Sequence, residues 1–190
     1  MRISRRMMGG LLGCVVGLGA GACGEKGADS SGGGGSSGGG GDDYSLVALA
    51  AVDVDVDGQK ISVSLPTGFK PDPDWPTPTK FVAPVDDNFS LPSFKVKLES
   101  NPPSSLDELA LSYGTEAKPM IETKRVEVAG GMLLAGHNST KGTAELLFIK
   151  PLEGGKAVSC SAVQARSKGV PNIEATLAMF ETACTSLQVK

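Results

Sequence analysis

Asp57-Gly58 stands between two runs of strictly alternating residues, and no feature of this 190-residue chain limits its fold more tightly. Before it, Val52, Val54 and Val56 alternate with Asp53, Asp55 and Asp57; after it, Ile61, Val63 and Leu65 alternate with Ser62 and Ser64. A period of two places the apolar residues on one face and the polar ones on the other, as in a half-buried strand. Asp-Gly favours the two-residue turn with positive φ at both positions, whose twist matches that of a hairpin. The predicted register sets Val54 against Ile61, Val52 against Val63 and Asp55 against Lys60, so that each pair suits its own face. Asp53-x-Asp55-x-Asp57-Gly58 also opens like a calcium-binding EF-hand loop. Ser64, however, stands where the bidentate acid of such a loop belongs, and Lys60 replaces an apolar residue.

Two later segments abandon alternation. Met132-Leu133-Leu134-Ala135 and Leu146-Leu147-Phe148-Ile149 are apolar at every position, which marks strands covered on both faces. They fall among four strands expected between Met120 and Arg166, separated by Gly130-Gly131, Lys141-Gly142 and Gly154-Gly155. Upstream, Phe94, Val96 and Leu98 alternate with Lys95, Lys97 and Glu99. Helical spacing occurs twice. Ser105-Leu106-Asp107-Glu108 is a capping box ahead of a short helix over Leu106–Tyr113, and Asn172–Cys184 carries Ile173, Leu177, Phe180 and Cys184 on one stripe. One helix on each side would cover the doubly apolar strands. The expected fold class is therefore α+β, an antiparallel sheet of about six to seven strands with helices on both faces. The proline-rich stretch Lys70–Lys80, which holds Trp75, is expected as an irregular surface loop.

The first 43 residues cannot contribute to that core. Met1–Arg6 is basic, Met7–Leu18 is apolar and uncharged, and Gly19–Ala22 supplies small side chains, in the order of a secretory signal. The apolar run is too short to span a bilayer. Small residues directly before Cys23 resemble the lipobox of bacterial lipoproteins. That resemblance implies cleavage after Ala22 and a diacylglycerol thioether with an acylated amine at Cys23, enough acyl chain for stable anchoring. Leu11-Leu12-Gly13-Cys14 is a closer local match, but it would leave only Met7–Gly13 as the apolar core. Gly24 following the cysteine favours the outer membrane as destination. Gly24–Asp43 is low-complexity Gly/Ser and reads as a disordered tether, with an r.m.s. reach of about 25 Å. The expected organisation is thus a signal over 1–22, a lipidated Cys23 and tether over 23–43, and one domain over 44–190.

With Cys14 removed and Cys23 lipidated, Cys160 and Cys184 remain, and an oxidising compartment favours their pairing. Two separate buried thiols are the alternative. The chain holds 18 basic and 21 acidic side chains. Loss of Arg2, Arg5 and Arg6 with the signal leaves 15 against 21, a formal −6. That balance argues against nucleic acid as a partner, which requires clustered Lys and Arg.

A search for catalytic or ligand-binding patterns yields little. His137 is the only histidine, so a multi-histidine zinc site is excluded, and it reads as a polar residue close to a turn. No nucleophile elbow, zincin helix or phosphate loop occurs. Asn138-Ser139-Thr140 fits a glycosylation acceptor, which has little meaning in a bacterial lipoprotein. Asp72, Asp74 and Trp75, in a loop stiffened by prolines, form a candidate partner patch, because a rigid exposed aromatic loses little entropy on burial. Alternatively, Trp75 folds back onto the sheet.

Three segments resemble the PsbP-like fold: Ile61-Ser62-Val63-Ser64-Leu65-Pro66-Thr67-Gly68-Phe69, Ser105-Leu106-Asp107-Glu108-Leu109-Ala110, and Phe180-Glu181-Thr182-Ala183-Cys184-Thr185-Ser186-Leu187. That family implies an antiparallel sheet sandwiched between helices and, mostly, binding or assembly factors. The expected function is a non-enzymatic, membrane-anchored binding or assembly module facing the periplasm or exterior. It would have no cofactor, and its partners would be the membrane, through its lipid, and another envelope protein. A small-ligand or metal-binding lipoprotein is the alternative, and a hydrolase a more distant one.

Overall fold

The structure, a computed structural model, describes residues 44–83, 92–113 and 119–190. The expected signal, Cys23 and the tether over 24–43 lie outside the described residues. Leu49–Val56 (β1) and Gln59–Pro66 (β2) form the hairpin, with Val52 opposite Val63, Val54 opposite Ile61 and Asp55 opposite Lys60. Asp57 and Gly58 both take positive φ, 52° and 83°, and the Gly58 N–H donates to the Asp55 carboxylate at 2.9 Å. These acids therefore serve the turn and the exposed face of a hairpin. Gln188–Val189 (β10) pairs with the other edge of β2, so this first sheet runs β1-β2-β10.

The second sheet has seven strands. Lys70–Pro71 (β3), Lys80–Val82 (β4) and Ser93–Glu99 (β5) form one side. Met120–Val128 (β6), Gly131–Asn138 (β7), Thr143–Pro151 (β8) and Ala157–Ala165 (β9) form the meander expected from the glycine-marked turns. The order is β3-β4-β5-β9-β8-β7-β6, with every neighbouring pair antiparallel.

Burial follows the unbroken apolar runs. Met132 through Ala135 are all buried, as are Leu146, Phe148 and Ile149, while Leu147 is half-buried. The sheet separates two apolar clusters. Leu133, Ala135, Leu146 and Phe148 join Val54, Ile61, Val63 and Leu65 of the hairpin, together with residues of Ile173–Thr185 (α2). Met132, Leu134, Ile149 and Ala157 instead pack with Leu109 of Leu106–Leu111 (α1).

The expected sandwich with helices on both faces is not the architecture. The chain is mostly β: ten strands stand against two helices among the described residues. The larger cluster draws its cover from the β1-β2-β10 sheet as much as from α2. On the other side α1 has six residues, and a helix of under two turns is not a layer. Apolarity on both faces of a strand demands apolar cover without specifying its form. The inner face of a second sheet supplies it as well as a helix does. The helical layering implied by the PsbP-like resemblance is corrected with it.

Local signals at the helix ends act much as expected. Ser105 Oγ accepts the Glu108 N–H at 3.2 Å. The return arm of the capping box shifts by one residue, with Glu108 accepting from the N–H and hydroxyl of Ser104 at 2.7 and 2.8 Å. The helix ends two residues before Tyr113, whose hydroxyl donates to the Glu145 backbone oxygen at 3.0 Å. In α2 the stripe Ile173, Leu177, Phe180 and Cys184 is buried as the spacing predicts. Cys184 is joined to Cys160 of β9, their Cα atoms 5.4 Å apart.

Candidate functional site

The proline-rich stretch is more ordered than expected. Its ends are β3 and β4, paired Lys70 to Val82 and Pro71 to Phe81, and β4 continues into β5 with Lys80 opposite Lys95 and Phe81 opposite Phe94. Phe81 and Phe94 are buried in the larger cluster. Strand alternation therefore turns Lys80 and Lys95 to the other side of the sheet, with Lys70 and Lys97 beside them.

Residues 72–79 cap this lysine face. Asp72 forms an ion pair with Lys80 at 2.7 Å and accepts the Asp74 N–H at 3.0 Å. Those two bonds, the Lys80 one the stronger, hold its carboxyl below the ordinary carboxylate range. The Asp72 backbone oxygen accepts the Trp75 N–H at 3.2 Å, which bends the chain back over the strands. The Trp75 ring then lies 4.1 Å from Lys95 Nζ and 5.1 Å from Lys80 Nζ, measured to its centre, within the range of cation–π attraction. Trp75 is half-buried and Asp74 exposed.

Of the three residues expected as a partner patch, Asp72 and Trp75 thus converge on the lysines, and Asp74 alone points outward. Sequence reasoning missed Lys80 and Lys95. The Phe94-Lys95-Val96-Lys97 alternation did place Lys95 on an outward face. Its neighbour Lys80 comes from a three-residue strand, too short to carry a periodic signal. Burial, and then the nearby Lys97 and Lys80 charges, push the Lys95 ammonium below its usual pKa, with Glu99 opposing in part. Lys97 is paired with Glu99 at 2.7 Å, which also accepts the Ser159 hydroxyl at 2.7 Å.

Two clefts lie elsewhere. A groove of about 820 Å³ runs between Pro102-Pro103, the β6–β7 turn and the β8–β9 connection. Met132 forms part of its floor, and Glu127 and Lys156 are the charged side chains lining it. A smaller cleft of about 260 Å³ is lined by His137, Lys124, Lys141 and Glu181. There Lys124 Nζ donates to both Glu181 carboxylate oxygens at 2.7 Å. His137 Nδ1 lies 2.8 Å from the Asn138 backbone oxygen, which can only accept, so this nitrogen carries the proton. The Asn138 side chain accepts the Thr143 N–H at 3.0 Å and is engaged in the turn. Among the described residues no three His, Cys, Asp or Glu side chains are grouped to hold a metal ion, and no helix is long and apolar enough to cross a membrane.

Glu145 on β8 is half-buried, and that burial raises its carboxyl pKa. Burial first, and then the Glu145 and Glu122 carboxylates, push the Tyr113 phenol well up, leaving it a hydrogen-bond donor. Cys23, the expected lipidation site, lies outside the described residues. No protein-family model matches this chain, and no curated protein matches it either.

Proposed function

We propose that this chain is an extracytoplasmic lipoprotein, anchored in the cell envelope through Cys23, whose domain acts as a non-enzymatic binding or assembly module. The observation that carries this reading is the Cys160–Cys184 disulfide. Such bonds persist in oxidising compartments, and reaching one requires an export signal of the kind that Met1–Ala22 resembles. Small residues before Cys23 and the Gly/Ser stretch after it support a lipid anchor and a spacer. The outer membrane is the favoured destination, and another envelope protein the favoured partner.

Mass spectrometry of the mature N-terminus tests the anchor. The expected species begins at an acylated Cys23, and Cys23→Ser releases the chain from the membrane fraction. A soluble form starting at Gly10, or an acylated Cys14, overturns the assignment. Pull-down of the native lipoprotein from detergent-solubilised membranes tests the binding role, with a stoichiometric envelope protein as the expected product. The 820 Å³ groove favours a second reading, a small-ligand-binding lipoprotein. In that case a small molecule co-purifies, and filling the groove by Lys156→Trp removes it.

A further inference from the structure

The lysine face of the second sheet places like charges side by side, two of them without an ion pair among the described residues. Lys80 and Lys95 are direct cross-strand partners, an arrangement of like charges that destabilises a sheet. Lys97 is two residues along on the same side, and Lys70 stands across from Val82 on that side as well. Asp72 and Glu99 pair with Lys80 and Lys97 at 2.7 Å. Lys70 and Lys95 form no ion pair among the described residues, and Lys95 Nζ lies over the Trp75 ring, 4.1 Å from its centre. Among the described residues the face gathers Lys70, Lys80, Lys95 and Lys97 against Asp72, Asp74 and Glu99, on a chain whose formal charge without its signal is −6, from 15 basic and 21 acidic side chains. The apolar cluster under α1 involves Met132, Leu134, Ile149 and Ala157, so the β3–β5 part of the face lies beyond that helix.

From this placement we infer that the β3–β5 lysine face, with Trp75, is the surface on which the domain rests against anionic lipid headgroups. The inference rests on the lipoprotein reading above. The spacer expected from the Gly/Ser composition, with a coil reach of about 25 Å, would keep the domain beside the bilayer without choosing its orientation. Surface chemistry then selects the face. Headgroup phosphates give Lys70 and Lys95 a counter-charge that no ion pair supplies among the described residues, and they relieve the Lys80–Lys95 and Lys95–Lys97 repulsion. Each lysine at an anionic surface strengthens binding roughly five-fold. Trp75, half-buried over Lys95 and Lys80, adds an amphipathic ring of the kind that suits the headgroup level.

The test uses the chain from residue 23 onward with Cys23→Ser, so that no acyl chain contributes. It is mixed with phosphatidylcholine vesicles containing phosphatidylglycerol, and with vesicles of phosphatidylcholine alone. Trp75 is the only tryptophan, so its emission reports on this face directly. The expected result is co-flotation and a blue shift with the anionic vesicles alone, both reversed by salt. Lys95→Glu and Lys70→Glu should each weaken binding at least about five-fold, while Lys60→Glu, on the first sheet, leaves it unchanged. Lys95→Glu also removes a like-charge contact, so the variant retains its fold, which circular dichroism checks. No flotation, or flotation indifferent to Lys95→Glu and Lys70→Glu, overturns the inference. So does an emission shift with soluble polyglutamate but not with vesicles, since that marks an acidic protein as the partner. Mass spectrometry of Cys23 reads the anchor separately, so failure of the face and failure of the lipoprotein reading remain distinct.

Discussion

Leu133 and Leu134 are neighbours on β7 and both fully buried, yet each belongs to a different apolar cluster. Leu133 packs with the hairpin sheet and α2, Leu134 with α1. Each site is fully enclosed, so truncating either side chain leaves a cavity. Leu133→Ala and Leu134→Ala should each cost about 2–5 kcal/mol in urea unfolding. A Leu134→Ala cost below about 1 kcal/mol would mean that α1 does not seal its side.

The disulfide spans 24 residues and ties α2 to β9, both sulfurs lying within the larger cluster. Chain-entropy arguments give about 3–4 kcal/mol for a loop of this length. Paired Cys160→Ser and Cys184→Ser substitution should therefore lower the thermal midpoint markedly, and reduction of the wild-type chain should reproduce the shift. Equal midpoints with and without reductant would show that the helix docks unaided.

Glu145 provides a pH test. Burial raises its carboxyl pKa in the fold, so the folded state holds the proton more tightly than the unfolded chain does. The stability associated with this group is complete below its unfolded pKa. It is lost as pH rises through the higher folded value. Glu145→Gln should consequently be more stable than wild type at neutral pH and about equal in acid. Chemical denaturation across that range measures it, and a wild-type advantage at neutral pH would contradict the burial account.

Gly136 is placed by contact rather than by its backbone angles. A Cβ there would run into the Ile121 carbonyl of β6, next to the register shift between Glu122 and Lys124. Gly136→Ala must push β6 outward, at a cost of about 1–3 kcal/mol. Faster amide exchange confined to β6 is the expected signature.

The parts of this fold that were legible in the sequence are those written locally. Strict alternation and Asp57-Gly58 specify the hairpin register, and glycine-marked turns specify the meander from Met120 to Ala165. Unbroken apolar runs specify that both faces are covered. Periodicity does not say what covers them, because the partner is chosen by contacts distant in sequence: helices are expected on both faces, whereas the hairpin sheet shares one face with α2. Gln188–Val189, Lys70–Pro71 and Lys80–Val82 are too short for any period. The candidate site followed the same rule. Asp72 and Trp75 drew notice as local oddities, whereas Lys80 and Lys95 gained meaning only when β4 and β5 brought them side by side.

One pairing bears on how the chain is made. β10 joins the first sheet through Gln188 opposite Ser62 and Val189 opposite Ile61, and Lys190 Nζ reaches Asp53 at 2.6 Å across 137 residues of sequence. An exported chain delivered N-terminus first brings the hairpin out before β10. For that interval β2 has an unsatisfied edge of hydrogen-bonding groups, which other nascent chains can occupy. The sheet begun first is thus the last to close. In the compartment where the domain folds, a chaperone that shields the 59–66 segment until β10 arrives should raise the yield of native protein more than one acting on the meander.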